Sequence, residues 1–146
     1  MSQDAINSYV SAGFYIFSDK LDFDEVNSLM SVANSSIRTR DSFCIDEFAK
    51  DYWNIDIESE PSEDINCQLN KLLILLDNKR ELINAIRKKF NAECGFVIVI
   101  TLKDKDISFP AIYYEKEFVT FAASIEASIN MDFILLDITR GEDSII

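Results

Sequence analysis

The stretch Gly95–Leu102, with the sequence GFVIVITL, constrains the fold of this chain more than any other segment. Its β-branched and aromatic residues favour an extended backbone, and successive side chains of a strand point to opposite faces. A strand that is apolar on both faces is stable only when both are covered, so we predict a central strand covered on both sides. The run is far shorter than the ~20 apolar residues that a membrane-spanning helix needs.

Five further segments are predicted to be strands. They are rich in β-branched and aromatic residues or alternate between apolar and polar residues. The segment that contains Pro110 suits only the edge of a sheet, because proline cannot donate a ladder hydrogen bond. The predicted strands are Tyr9–Phe17, a short one at Phe43–Ile45, Tyr52–Ile57, the edge strand Ile107–Tyr114 and Met131–Ile138.

Helices are predicted between these strands from their caps and from apolar residues at helical spacing. Asp22 followed by Glu25 forms a capping-box pattern that starts the first helix. Ser62 is the predicted cap of a longer helical stretch, which is either one helix or two helices broken at residues 77–78. The last helix runs from Glu115 to about Ser128, with its inward side chains at Phe118, Phe121, Ala122 and Ile125.

This order of elements predicts an α+β fold. A mostly antiparallel or mixed sheet would pack with about three helices as an α/β sandwich. A length of 146 residues suits a single domain over residues 1–146. We expect residues 140–146 to form a loose tail.

The chain lacks the residues on which most catalytic sites depend. It has no histidine and only three glycines, which removes Ser-His-Asp and Cys-His arrangements and glycine-rich phosphate loops. Asp19, Asp22, Asp24 and Glu25 cluster, but they lack the central glycine of a calcium loop, and helix capping explains Asp22 and Glu25 without a metal. We therefore predict no catalytic residues, no metal site, no cofactor and no enzymatic activity.

The cysteines and the N-terminus indicate a cytoplasmic protein. Cys44, Cys67 and Cys94 are odd in number and widely spaced, which is typical of reduced thiols and not of a disulfide framework. The N-terminal residues are not a basic region that leads into an apolar one, so we predict no signal peptide.

Acidity is the strongest compositional signal. Twenty-six acidic residues oppose fourteen basic ones, which gives a net charge of −12. Such a field attracts basic partners and repels nucleic acid and anionic membranes, although it also serves plain solubility. A basic run partly belongs to the last turn of a helix, where cations are stabilised, so we expect no nucleic-acid or membrane binding. This run is Lys79, Arg80, Arg87, Lys88 and Lys89.

The acidic residues concentrate between residues 41 and 64, around two adjacent aromatic residues. Buried aromatic side chains among charges are typical of protein interfaces, where the rings anchor and the charges steer. The predicted partner-binding residues are Asp46, Glu47, Asp51, Tyr52, Trp53, Asp56, Glu58 and Glu60. The alternative is that Trp53, Ile55 and Ile57 form the core face of a strand, with the acids on its solvated face.

Several segments resemble the bacterial domain-of-unknown-function family 4279. They are Tyr9 to Leu29 with Asp22-Phe23-Asp24, Asn66 to Phe90, the strand GFVIVI, Pro110-Ala111-Ile112 and Phe118–Ile138. The resemblance implies an α/β sandwich without a known cofactor, and it supplies no catalytic residues. Some relatives look like immunity proteins of polymorphic-toxin or contact-dependent growth inhibition systems, which is an analogy.

These observations favour an immunity (antitoxin) protein. It would bind and neutralise a cognate basic toxin, with a nuclease as the favoured class, by covering the toxin's active site with an acidic surface. A nuclease is basic where it binds phosphate, so carboxylates compete with its substrate there. The alternative is a cytosolic binding or regulatory domain unrelated to toxins, either alone or as a homodimer.

Overall fold

The computed structural model describes residues 8–31, 36–38, 50–104 and 108–136 of the chain. These residues form five strands and four helices. The strands are β1 (Ser8–Ser18), β2 (Ser36–Arg38), β3 (Asp51–Pro61), β4 (Glu93–Leu102) and β5 (Ser128–Leu135). The helices are α1 (Phe23–Met30), α2 (Asn66–Leu75), α3 (Arg80–Phe90) and α4 (Lys116–Ser124).

The strands form one mixed sheet in the order β2-β3-β1-β4-β5. The pairs β2–β3, β3–β1 and β1–β4 are antiparallel, whereas β5 lies parallel to β4. A parallel neighbour requires a crossover, and α4 provides it between β4 and β5. The prediction of an α+β fold with a mixed sheet is confirmed, with four helices where about three were expected.

All four helices contribute to one apolar core on a single face of the sheet. Alternate residues of the central strands point to this face, and Phe14 and Phe96 are fully buried there. Their rings pack 5.2 Å apart between centroids, and the Phe96 ring meets Phe118 of α4 at 4.9 Å. Trp53 of β3 is also fully buried and donates its indole N–H to Asn27 Oδ1 of α1 at 2.7 Å.

The prediction that β4 is covered on both sides is wrong for the described part of the chain. Its residues alternate between fully buried and partly buried, and the partly buried ones are Val97, Val99 and Thr101. Val97 shares the lining of a shallow cavity with Tyr15 and Tyr52 of the same sheet, and none of the described helices packs on this side. The apolar run therefore marks the centre of the sheet without requiring helices on both faces.

The helical stretch after β3 consists of two helices, which resolves the alternative that the sequence left open. Asn78 adopts a positive φ of 62° between α2 and α3, a conformation that a continuous helix does not contain. The predicted Ser62 cap is wrong, because α2 begins at Asn66 and Asp64 Oδ1 accepts the Asn66 N–H at 2.8 Å. Ser62 is buried instead, and its hydroxyl lies 2.9 Å from Gln68 Oε1.

The region around Pro110 is not the predicted edge strand. Within residues 108–114 only Ala111 makes a β-bridge, with Asp64, and its N–H bonds to the Glu63 carbonyl at 2.7 Å. Helix α4 ends at Ser124, earlier than predicted, because Glu126 turns the chain with a φ of 53°. The last strand consequently starts at Ser128 and not at Met131.

The first part of the chain follows its predicted elements closely. Strand β1 matches the predicted strand, and Asp22 Oδ1 accepts the Glu25 N–H at 3.0 Å as the cap of α1. The predicted strand Phe43–Ile45 and the predicted tail 140–146 lie outside the described residues. None of the described helices combines the length and the apolar character needed to cross a membrane.

Candidate binding face

The face of the sheet opposite the helices, which we call the open face, carries the candidate site. Strand alternation and the pairing register define its members. They are Ser11, Gly13, Tyr15 and Phe17 of β1, Tyr52, Asn54 and Asp56 of β3, Glu93, Gly95, Val97, Val99 and Thr101 of β4, and Ser128, Asn130, Asp132 and Ile134 of β5.

An aromatic cluster occupies the open face near the end of β1. Phe17 and Tyr52 are cross-strand partners, and their rings stack with centroids 5.3 Å apart at an interplanar angle of 21°. The Tyr15 ring lies 5.8 Å from Phe17 and 6.4 Å from Tyr52. All three side chains are partly buried, so each keeps some surface in contact with solvent. Aromatic rings that are packed by neighbours and still exposed can anchor a partner at little cost in side-chain entropy.

Gly95 allows Tyr15 to lie flat across β4. A Cβ at this position would sit 2.4 Å from the Tyr15 hydroxyl oxygen and 2.6 Å from Cζ. The Tyr15 hydroxyl accepts a hydrogen bond from Asn130 Nδ2 at 2.7 Å, which ties β1 to β5 across β4. Burial raises the pKa of Tyr15, despite the opposing effect of the Asn130 hydrogen bond, so the phenol stays protonated at neutral pH. Its proton is then available to donate into the adjoining cavity.

Gly13 allows a similar close approach by a carboxylate. A Cβ on Gly13 would lie 2.6 Å from Asp56 Oδ1, so the carboxylate rests directly over the β1 backbone. Burial raises the pKa of Asp56, because the charged form is partly removed from water. The ionised Asp56 side chain is therefore less favourable here than in an unfolded chain at neutral pH.

A shallow cavity of about 360 Å³ lies between the aromatic cluster and β5. It is lined by Tyr15, Tyr52, Asn54, Val97, Asn130, Met131 and Asp132. Its lining combines an apolar floor with two phenols, two amides and a carboxylate. Asp56 follows Asn54 as the next residue of β3 on the same face, so it lies beside the cavity. Carboxylates, amide oxygens and aromatic faces are the groups that receive an ammonium or guanidinium group.

The predicted partner-binding residues are distributed over several places. Tyr52 and Asp56 lie on the open face, and Glu58 is exposed where β3 bulges opposite β1. Glu60 pairs with Lys71 of α2 at 2.7 Å, on the helical side of the sheet. Asp46 and Glu47 lie outside the described part of the chain.

Two predicted residues have structural roles that leave no surface for a partner. Trp53 is 0% exposed within the core. Asp51 is 7% exposed, and its Oδ2 accepts the Leu21 N–H at 2.9 Å. The alternative interpretation is therefore confirmed for the core face of this strand: Trp53 and Ile55 are buried, and Ile57 is partly buried and packs against the core.

Sequence reasoning missed four polar or aromatic members of the cavity. They are Tyr15, Asn54, Asn130 and Asp132. One signal was present in the sequence, because Gly13 and Gly95 interrupt two strands, and a glycine inside a strand often marks the close approach of another group. Nothing in the sequence indicated that Asn130 would reach Tyr15 across an intervening strand.

The other charged clusters have local explanations. Asp19 pairs with Lys50 at 2.7 Å, and Glu25 pairs with Lys89 of α3. Within the described ranges, no group of three cysteine, aspartate or glutamate side chains is arranged to hold a metal ion. Cys94 is buried, burial raises its thiol pKa to about 11, and it is therefore a poor nucleophile.

A larger groove of about 770 Å³ lies on the helical side of the molecule, between α4 and the loop that joins α2 to α3. Its lining mixes both signs of charge over a small apolar floor of Leu73 and Phe121. The charged residues that line it are Asp77, Arg80, Glu81, Lys116 and Glu117. This mixture does not select a ligand of either charge.

The fold and the open face define an α+β domain with helices on one side of its sheet and a polar, aromatic surface on the other. The chain belongs to the family described as Domain of unknown function (DUF4279), whose model matches residues 7–136. The resemblance found in the sequence is thereby confirmed. Comparisons with curated proteins and with solved structures gave no match.

Proposed function

We propose that this protein is an immunity protein that binds and neutralises a basic toxin through its open face, with a nuclease as the favoured class. The observation that carries the proposal is that an aromatic cluster and carboxylates occur together on the sheet face against which none of the described helices packs. Phe17 and Tyr52 supply stacked rings, while Asp56 and Asp132 supply charge beside the cavity. The net charge of −12 adds a field that attracts a cationic partner from a distance.

The position of Asp56 supports a binding role. Its side chain is exposed on the open face, and its Oδ1 rests over the Gly13 backbone. Partial removal from water raises the pKa of this carboxyl. An arginine or lysine side chain over Asp56 would replace the lost hydration with an ion pair.

The aromatic cluster supplies the second part of the interaction. Interfaces depend on a few buried anchors, in which tyrosine is enriched, and on surrounding charges that set orientation and association rate. Tyr52 and Tyr15 present both ring surface and hydroxyl groups beside the cavity. A toxin that presents a cationic active site would therefore be both attracted and anchored by the same face.

The test is protection of growing cells. The protein encoded directly upstream is expressed with and without this chain, since an immunity gene follows its toxin gene. We expect the upstream protein to arrest growth alone and the chain to restore growth. We also expect protection to be lost with Asp56→Asn/Asp132→Asn and retained with Glu63→Gln/Glu117→Gln, a control of equal charge change at exposed positions.

The competing function is a binding or regulatory domain without a toxin partner. An upstream protein that is harmless, or toxicity that this chain does not relieve, would contradict the immunity proposal and favour this second function. Equal protection by both double variants would leave the immunity role standing and would place its interface away from the open face.

A further inference from the structure

Strand β5 forms one edge of the sheet, and within the described residues it pairs with β4 alone. The Leu136 N–H donates to the Leu102 carbonyl at 2.7 Å, so even-numbered residues of this strand direct their backbone groups toward β4. Since these directions alternate along a parallel strand, Ile129, Met131 and Phe133 direct their N–H and C=O groups outward.

The side chains along this edge are apolar and exposed. Phe133 is 56% exposed, Leu135 53% and Ile134 44%, and the Phe133 ring makes an edge contact with the exposed Phe109 at 5.5 Å. Edge strands are normally protected by lysine, by proline or by several charges. Residues 128–136 contain a single charged side chain, Asp132, and no proline.

We propose that β5 is the interface between two copies of this chain, which pair antiparallel about a two-fold axis at Met131. The two sheets then join into one continuous sheet, with the helices of both copies on the same side. This inference does not depend on the proposed function, because it uses the backbone edge of β5. Its register also involves Asn130 and Asp132 of the open face, so the first test changes Phe133, which lies on the helical side of the strand.

Charge determines both the partner and the register. A second copy carries the same net charge of −12, so two copies can approach only where charge is scarce, and β5 is such a place. A two-fold axis at Asp132 would set two carboxylates opposite each other, which is destabilising. An axis at Met131 sets each Asp132 opposite Asn130 of the other copy, where an amide can donate to a carboxylate.

The same register also satisfies the backbone and the apolar side chains. With the axis at Met131, Ile129 of one copy lies opposite Phe133 of the other, and both have outward N–H and C=O groups. These residues and Met131 therefore form the hydrogen-bonded pairs of the new ladder. Ile129 and Phe133 share the helical side of the sheet, so their exposed side chains cover each other.

The first test is the mass of the full chain in solution, measured by sedimentation velocity over a range of concentrations. We expect a species of twice the chain mass of 16.7 kDa for the wild type. Phe133→Lys should give a monomer, because a charged side chain would enter the pair with Ile129. Ile74→Lys is the matched control, since Ile74 is an apolar residue of α2 with 74% exposure, and it should remain dimeric.

The second test examines the register and does not depend on whether Phe133→Lys folds. Met131→Cys in a chain with Cys67→Ser and Cys44→Ser should form a covalent dimer under mild oxidation. Hydrogen-bonded antiparallel pairs have Cα atoms about 5.5 Å apart, which suits a disulfide. Ile74→Cys in the same background should stay uncrosslinked.

A wild type that is monomeric at every concentration would overturn the proposal. An extended segment of another protein would then be the alternative occupant of the β5 edge. A dimer that persists in the folded Phe133→Lys variant would also overturn it. A dimer that forms without the Met131→Cys crosslink would contradict the register.

Discussion

The two faces of the sheet use the same strands for different purposes. On the helical face, alternate residues of β1, β3 and β4 are fully buried and meet aromatic and aliphatic side chains from the helices. On the open face, their sequence neighbours are half exposed, and they hold a phenol, amides and carboxylates at fixed distances. The difference teaches that one strand can contribute stability through one set of side chains and binding through the other.

The largest expected effect belongs to the helical face. Phe96→Ala removes a fully buried ring that contacts both Phe14 and Phe118, and it should lower the free energy of unfolding by about 3–5 kcal/mol. Tyr52→Ala on the open face should lower it by about 1 kcal/mol, because it mainly loses the stack with Phe17. Urea unfolding of the two variants measures both values. Equal losses would contradict the division between the faces.

A smaller effect is expected where the open face is most tightly packed. Gly95→Ala introduces a methyl group into the space of the Tyr15 ring, and it should cost roughly 1–3 kcal/mol as the ring moves away. The hydrogen bond between Asn130 and the Tyr15 hydroxyl should be lost as well.

The control for this prediction is a double-mutant cycle with Tyr15→Ala. Gly95→Ala should cost less when the ring is absent, because the added methyl group then meets only the Ser128 carbonyl oxygen, at 3.0 Å. An unchanged cost would show that Tyr15 is not the reason for a glycine at this position.

The smallest effect concerns the pH dependence of Asp56. Because the folded-state pKa of Asp56 is raised, its contribution to stability is most favourable at low pH and is lost as the pH rises through the folded value. Asp56→Asn removes this loss, so it should leave the stability unchanged or increase it by up to about 0.5 kcal/mol at neutral pH.

The difference in free energy of unfolding between Asp56→Asn and the wild type should vanish near pH 3, which is below the ordinary aspartate pKa of about 3.9. Urea unfolding at both pH values measures it, with Glu63→Gln as the exposed control. A variant that is less stable than the wild type at neutral pH would show that Asp56 stabilises the fold.

Local signals in the sequence predicted the elements that depend on neighbouring residues. The alternation in β1 and β3 and the Asp22 cap of α1 belong to this class, and the structure confirms them. The sequence failed where distant contacts decide the outcome. Residues 108–114 bridge to Asp64 instead of joining the sheet, and Ser62 is buried against Gln68 instead of capping a helix.

The candidate site was predictable only in part, for the same reason. The sequence identified Tyr52 and Asp56 from the clustering of acids and aromatics, but clustering along the chain does not specify a face. Because successive side chains of β3 point to opposite faces of the sheet, Trp53 and Asp51 are buried on the helical side. The cavity depends on Tyr15 and Asn130, which are separated by 115 residues, and only the folded sheet brings them together.

The central claim is that the open face binds a basic protein, and a calorimetric titration with the upstream protein tests it most directly. We expect the wild type and Glu63→Gln/Glu117→Gln to bind equally well. Asp56→Asn/Asp132→Asn should bind more weakly by roughly tenfold for each carboxylate. Stopped-flow mixing of the wild type with the same partner should show that added salt slows association. Equal affinity of all three proteins, or association that is indifferent to salt, would contradict the account.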